Sequence, residues 1–161
     1  MAMTMKAEGM EELSEILTKL GEQAEAVASA ALYEGAGVMA DAFTKAIGEI
    51  RTESHPYNRR KGRRFPYPEE VEALNGKVGI AKFQKNGSEV NTVIGIQKDA
   101  GYTTVNGRKK PVAVIARSIN SGTSFMKKQP VFRKAARTAQ GAAMDAMTAT
   151  GEKMLKEIIG E

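Results

Sequence analysis

Few side chains in this sequence have the type and spacing that catalysis requires. The one histidine, His55, stands beside Pro56, and neither a second histidine nor a cysteine is available to complete a zinc site or a nucleophile pair. Glu69, Glu70 and Glu72 could supply a general acid and base, but no apolar pocket is evident around them, so we expect a solvated charged run. No Gly-Lys-Ser or Gly-Lys-Thr sequence is present, so nucleotide hydrolysis has no support. The residues therefore predict no catalytic site, metal site or cofactor site.

A proline-rich segment, residues 54–68, concentrates positive charge beside aromatic rings. Its prolines exclude a continuous helix or a central strand, which predicts an extended basic loop. Arginine beside aromatic rings is typical of nucleic-acid sites, where cations meet phosphates and rings stack on bases. The same loop could instead be solvated, or dock into an acidic groove of a neighbouring subunit. The candidate interface residues of the loop are Arg59, Arg60, Lys61, Arg63, Arg64, Phe65 and Tyr67.

A second candidate docking segment spans residues 112–136. An apolar stretch is followed by a Ser121-Gly122-Thr123 break, a lysine pair and Pro130, which suits the first turn of a helix because its missing N–H costs nothing there. The cations at this helix start oppose the helix dipole unless an acidic partner lies nearby; a solvated, frayed first turn is the alternative. The candidate interface residues here are Gly122, Thr123, Phe125, Lys127, Lys128, Phe132 and Arg133.

The composition is that of an ordinary globular protein. With 161 residues, 42% hydrophobic and 27% charged, the chain fits one domain, residues 1–161. The net charge of +5 and the pI near 9.4 are consistent with an anionic partner. The absence of cysteine excludes disulfides. Because no run approaches the roughly 18 apolar residues of a membrane span, and the N-terminus has no secretion signal, we expect an intracellular protein without a membrane partner.

Apolar spacing predicts an α+β fold: a short N-terminal helix, a long helix, a small antiparallel sheet and a C-terminal helix packed on the sheet. Apolar residues recur at i, i+3, i+4 and i+7 between positions 13 and 20, and Gly21 is placed to end that helix. The long helix is expected over about residues 22–50. Its glycines and alanines at positions 30–40 lack bulk, so we expect close packing against the last helix in preference to oligomerisation.

Three Asn-Gly pairs, the dipeptide typical of hairpin turns, punctuate the region between the long helices. They are Asn75-Gly76, Asn86-Gly87 and Asn106-Gly107. The patterns between them predict antiparallel strands over residues 77–84, 88–97 and 111–119. A shorter hairpin around Asn106-Gly107 would bring the sheet to between three and five strands. The last of these strands is apolar on both faces, so we expect it to be central or to be covered by another subunit.

The order of elements and one local motif carry a family resemblance. A helical start at residues 9–13 precedes an alanine- and glycine-rich long helix, a small sheet, and then a Gly122-Thr123 turn followed by Pro130 and Phe132 at the start of an alanine-rich helix. In these features, over nearly its whole length, the chain resembles the minor tail-component family of siphophages and related prophages. It departs from the family pattern in the loop at residues 54–68 and directly before the Gly-Thr turn.

The resemblance implies a structural protein of the phage neck, with no enzymatic activity and no cofactor. Such proteins assemble as rings, commonly hexamers, which complete the tail or join it to the head. The implied partners are copies of the chain itself, a head connector or stopper protein, and a tail terminator or tail tube protein, with DNA passing through the channel without sequence-specific binding. The implied location is the virion neck or tail, after synthesis in the cytoplasm of the bacterial host. A free-standing nucleic-acid-binding protein that uses residues 59–64 is the alternative.

Overall fold

The computed structural model of the chain describes residues 10–54, 62–86, 89–97, 100–104 and 107–160. Helices and short antiparallel strands are both present, so the prediction of a mixed helical and β fold is confirmed. The helices are α1 (Met10–Gly48), α2 (Pro68–Glu72), α3 (Val112–Ser121) and α4 (Val131–Ile159). The strands are β1 (Val78–Ile80), β2 (Gln84–Asn86), β3 (Glu89–Asn91), β4 (Ile94–Ile96), β5 (Gly101–Thr103) and β6 (Lys109–Pro111).

The N-terminal half of the chain contains one long helix where the sequence predicts two. α1 continues through Gly21 as far as Gly48, so the predicted helix end at Gly21 is wrong. A glycine inside a helix costs about 1 kcal/mol relative to alanine, and the strong helix formers on both sides of Gly21 offset that cost. With 39 residues, α1 is about 58 Å long at a rise of 1.5 Å per residue.

The last helix packs along α1, and not on a sheet as predicted. The rings of Phe43 and Phe132 meet edge to face with their centroids 5.6 Å apart. Further along the pair, a Cβ built on Gly35 would lie 2.4 Å from Cγ of Met147 and 3.1 Å from the carbonyl oxygen of Ala143. These two contacts make α1 and α4 antiparallel. They also confirm, at Gly35, that the small residues of α1 permit close packing within the chain.

A compact region around α3 lies where α1 ends and α4 begins. We call it the head of the molecule. The end of α1, the turn after α2, one face of α3 and the segment before α4 meet in a single hydrophobic core. Eight residues form its buried part: Ile47, Ile50, Leu74, Val112, Ile115, Ala116, Ile119 and Met126. The head therefore closes over apolar side chains from four separate parts of the chain.

Residues 112–121 form a helix, so the prediction of a third strand over residues 111–119 is wrong. The buried residues of α3 lie at i, i+3, i+4 and i+7, which is the spacing of one helical face, and Val114 on another face is 50% exposed. β-branched residues favour strands only weakly, and tertiary packing overrides that preference. A helix needs to bury only one face. A strand with two apolar faces would have required cover from another subunit, and that requirement therefore no longer applies. The four buried residues are Val112, Ile115, Ala116 and Ile119.

The strands form three two-stranded antiparallel ladders among the described residues. β1 pairs with β4, and β2 pairs with β3, so the two strands predicted over residues 77–97 are each broken in the middle. Across the break the Ala81 N–H donates to the Val93 carbonyl (2.8 Å) and the Thr92 hydroxyl donates to the Ala81 carbonyl (2.7 Å). The two ladders thus form one interrupted hairpin.

The hairpin predicted around Asn106-Gly107 is formed by β5 and β6. Gly107 adopts a φ of 74°, the left-handed conformation that a glycine tolerates in such a turn. Gly76 also has a positive φ, 66°, but its turn connects α2 to β1 instead of two strands. Residues 87–88 and 105–106 of the remaining predicted turns lie outside the described residues.

Replacing Gly35 with alanine should lower the free energy of unfolding by about 1–3 kcal/mol, because Met147 and the backbone at Ala143 must move to admit the methyl group. Gly37→Ala is the matched control, since no atom lies within 4 Å of a Cβ at that position. The control should be neutral or stabilising by up to about 1 kcal/mol through helix propensity. Urea denaturation measures both, and equal effects of the two substitutions would contradict the close packing of α1 on α4.

Candidate docking interface

The described end of the basic loop, residues 62–68, lies beside the Gly-Thr segment in the head, although the two are distant in the sequence. Arg64 and Met126 form a parallel backbone bridge. The Arg64 N–H donates to the Phe125 carbonyl (2.9 Å), and the Lys127 N–H donates to the Arg64 carbonyl (2.8 Å). Both candidate segments therefore contribute to one surface.

Side chains alternate across this bridge, as they do along any extended pair. The side chains of Arg64 and Met126 point inward, while their sequence neighbours point outward. We call this outer surface the docking face. Its residues are the four neighbours Arg63, Phe65, Phe125 and Lys127, and we include Lys128, which is exposed directly after Lys127; all are exposed except for the half-buried Phe65.

The inward side chains anchor the loop. Met126 is 2% exposed within the core. The Arg64 guanidinium donates two hydrogen bonds to the Glu70 carboxylate, at 2.7 and 2.9 Å, and a third to the Phe65 carbonyl at 2.9 Å. It also lies 3.9 Å from the centroid of the Tyr67 ring. Arg64 is thus engaged within its own chain, while Arg63 beside it faces outward.

Glu70 is the buried partner of this arginine. It is 7% exposed, so the expectation of a solvated carboxylate run is wrong for Glu70, although Glu69 and Glu72 are exposed. Burial alone would raise the pKa of the Glu70 carboxyl, but the hydrogen bonds from Arg64 and from the Tyr67 N–H outweigh burial and hold that pKa below its ordinary value. A glutamate in the first turn after a helix-starting proline is a capping signal, and this signal in the sequence distinguishes Glu70 from a solvated glutamate.

The aromatic ring of Phe65 contacts two cations. The Arg51 guanidinium carbon is 4.8 Å from the ring centroid, and the Lys127 ammonium is 4.4 Å from it. Each such contact contributes about 0.5–1 kcal/mol at an exposed site. The Phe65 N–H donates to the Glu53 carboxylate at 3.2 Å. Phe65 therefore holds Lys127 in a defined position on the docking face.

Gly122 and Thr123 shape the turn that leads into this surface. Gly122 ends α3 with a φ of 76°, and a Cβ there would lie 3.0 Å from Cβ of Lys128. The Thr123 hydroxyl oxygen accepts a hydrogen bond from the Met126 N–H at 3.0 Å. In the described part of the chain, Gly122 and Thr123 therefore stabilise the conformation of this turn.

Gln129 joins the turn to the end of α1, a role the sequence analysis missed. Its side-chain oxygen accepts from the Arg51 N–H (2.9 Å), and its side-chain nitrogen donates to the Arg51 carbonyl (3.0 Å). Its backbone N–H donates to the Ile119 carbonyl at 2.8 Å. No sequence motif distinguishes Gln129 from a solvated glutamine, because its partners are backbone groups that only the fold brings close.

The remaining candidate residues are placed differently. Phe132 contacts Phe43 and the edge of the hydrophobic core, whereas Arg133 is exposed. Arg59, Arg60 and Lys61 lie outside the described residues, so their role stays a prediction.

The cations around the docking face lack acidic partners in the part of the chain that the structure describes. The ion pairs formed there are Arg64 with Glu70 and Lys85 with Glu25. Three cations therefore lie at or just before the start of α4, and no carboxylate of the described residues forms an ion pair with them. They are Lys127, Lys128 and Arg133. The two alternatives for this helix start, a solvated turn or an acidic neighbour, both stay open.

A cleft of about 580 Å³ lies between the β5–β6 hairpin and α2. Tyr102 and Lys110 are cross-strand partners on the hairpin side, and Arg108 joins them in the lining. Burial, together with Glu70 and Glu69, raises the pKa of the Tyr102 hydroxyl. These side chains can bind a hydrogen-bonding or anionic group. The described part of the chain holds no cluster of three histidines, cysteines or carboxylates that could bind a metal ion.

Comparison with known proteins identifies no relative, since no protein-family model, no curated protein and no solved structure matches this chain. Each described helix is too short or too polar to cross a lipid bilayer. Function is therefore inferred from the chain's own residues.

Glu70→Gln should lower the free energy of unfolding by about 3 kcal/mol at neutral pH, because it leaves the buried Arg64 without its counter-ion. The folded-state pKa of Glu70 lies below its ordinary value of 4.5. Its contribution is therefore present at neutral pH and is lost as the pH falls through the folded-state pKa.

Urea denaturation of wild type and E70Q should accordingly show a stability difference that is constant while the pH stays well above 4.5 and narrows as the pH falls below that value. Glu69→Gln, at the exposed neighbouring position, is the control and should change stability by less than about 0.5 kcal/mol. A pH-independent difference for E70Q would exclude the ion pair as its cause.

Proposed function

We propose that the protein is a structural component of the bacteriophage neck. In this role it assembles with copies of itself as a ring, with six copies as the expected number, and completes the tail or joins it to the head connector around the DNA channel. The proposal combines the family resemblance of the sequence with the docking face. The observation that supports it most directly is the Arg64–Met126 bridge, which joins the basic loop and the motif-bearing segment into one surface.

The composition of the docking face favours a protein partner. Phe125 is an exposed aromatic side chain, 39% accessible, and it shares the docking face with Arg63, Lys127 and Lys128. Aromatic residues and arginine are enriched in protein interfaces. An acidic surface on a neighbour would complement the unpaired cations and orient the encounter. Identical copies that meet through two different surfaces form a heterologous contact, which closes into a ring when the rotation permits.

Passage of DNA gives a second reason to assign these cations to protein contacts. Every lysine or arginine that neutralises a phosphate strengthens binding to the duplex. A channel that holds DNA tightly would retard its movement. The cations that face a DNA channel should therefore be sparse, and the concentrated charge of the docking face belongs at a subunit boundary. The neighbours above and below the ring would be a head connector or stopper protein and a tail terminator or tail tube protein.

The triple variant Arg63→Ser/Lys127→Ser/Lys128→Ser should lose ring assembly while its circular dichroism stays that of wild type. Arg64 is left in place, because its pairing with Glu70 supports the fold. Lys45→Ser/Lys153→Ser/Lys156→Ser removes the same charge from exposed positions of α1 and α4 and should assemble normally. Sedimentation velocity and native mass spectrometry, with and without the adjoining virion proteins, measure the assembly.

Normal assembly of the docking-face variant would contradict the proposal. A salt titration of DNA binding tests the alternative function. Binding at sub-micromolar strength that falls steeply with salt, and that is lost in the same variant, would support a free-standing nucleic-acid-binding protein instead.

A further inference from the structure

The first residues of α1 extend beyond the end of α4, the helix on which α1 packs. Gly35 lies beside Ala143 and Met147, and the two helices are antiparallel. α4 continues from there to Ile159. With equal rise in both helices, its end is level with roughly residue 20 of α1. The first turns of α1 therefore extend past α4, and Leu17 among them is 57% exposed.

The first part of α1, which includes the projecting turns, is strongly acidic. Residues 10–25 contain five glutamates and one lysine, Lys19. Glu15 and Glu22 are exposed and lie two turns apart on the same side of the helix. In the described part of the chain neither glutamate forms an ion pair, whereas Glu25 pairs with Lys85. We call residues 10–25 the acidic tip.

The acidic tip and the docking face have opposite charges but cannot meet within one molecule. Arg51, just after the end of α1, lies against Phe65 of the docking face. Residue 17 and residue 48 are separated along the helix by about 46 Å. That distance far exceeds the Debye length of about 8 Å at physiological salt. The two surfaces therefore cannot neutralise each other within one molecule, and a second copy of this chain carries the complementary charge for each.

We infer that the acidic tip of one copy binds the docking face of the next, with Glu15 and Glu22 directed at Lys127 and Lys128. The inference rests on the proposed ring and names the second surface of its subunit contact. Tip-to-face binding is heterologous, as ring closure requires. Tip-to-tip and face-to-face encounters are disfavoured because like charges repel.

Charge reversal on each surface tests the contact. Glu15→Lys/Glu22→Lys alters only the tip, and Lys127→Glu/Lys128→Glu alters only the face. Each variant alone should fail to assemble. An equimolar mixture should assemble again with the two variants alternating, because intact tips meet intact faces and reversed tips meet reversed faces. The chain that carries all four substitutions should assemble again through the exchanged charges. Wild-type assembly should dissociate as salt approaches about 1 M, where the Debye length falls to about 3 Å.

Glu34→Lys/Asp41→Lys is the control, because it makes the same charge change at exposed positions in the middle of α1 and should leave assembly intact. Wild-type assembly by the tip variant would overturn the inference. If the docking-face serine variant loses assembly in the same experiments, the proposed function survives that failure. A wild-type chain that stays monomeric with all neck partners present would overturn both.

Discussion

Arg64 connects the end of the basic loop with two other parts of the head, α2 and the segment before α4. Its guanidinium binds Glu70 in α2 through two hydrogen bonds, and its backbone pairs with Met126 before α4. A buried carboxylate that loses its counter-ion is costly, so the loop cannot leave this position without a large loss of stability. The outward side chains on either side of Arg64 are consequently presented on a fixed backbone. Preorganised surfaces bind with less loss of conformational entropy than mobile ones.

The two halves of the molecule are held by different physical interactions. α1 and α4 fit by shape, since the missing side chain of Gly35 admits Met147. The head is held by an apolar core together with directional polar contacts. Gln129 connects these regions. It lies just before α4, and its side-chain amide forms hydrogen bonds with the backbone of Arg51, which lies just after α1. Both the hydrophobic core and these hydrogen bonds therefore orient the docking face relative to the helix pair, and hydrogen bonds tolerate little rotation.

The sequence predicts the periodic elements well and the local exceptions poorly. The two long helices and the β5–β6 hairpin follow from apolar spacing and an Asn-Gly turn. Gly21 misleads because a glycine is a helix end only when the chain around it leaves the helix. Residues 111–119 mislead because β-branched residues suggest a strand while their burial follows a helical period. Packing decides both cases, and packing is a property of the whole fold.

The candidate site shows the same division. Residue types alone marked both docking segments as unusual, because cations beside aromatic rings and a Gly-Thr break are visible in the sequence. Their adjacency was not predictable, since Arg64 and Met126 are far apart along the chain and pair only through their backbones. The inward role of Arg64 was equally hidden, because Arg63 beside it has the same residue type and the opposite environment.

The unbroken course of α1 through Gly21 has a mechanical consequence. A hinge at that glycine would let Glu15 swing relative to Glu22, so that the two carboxylates would have no fixed spacing or direction. A continuous helix keeps both side chains on one side of a single rod, two turns apart. Their relative geometry is therefore set by the stiffness of the backbone before any partner arrives.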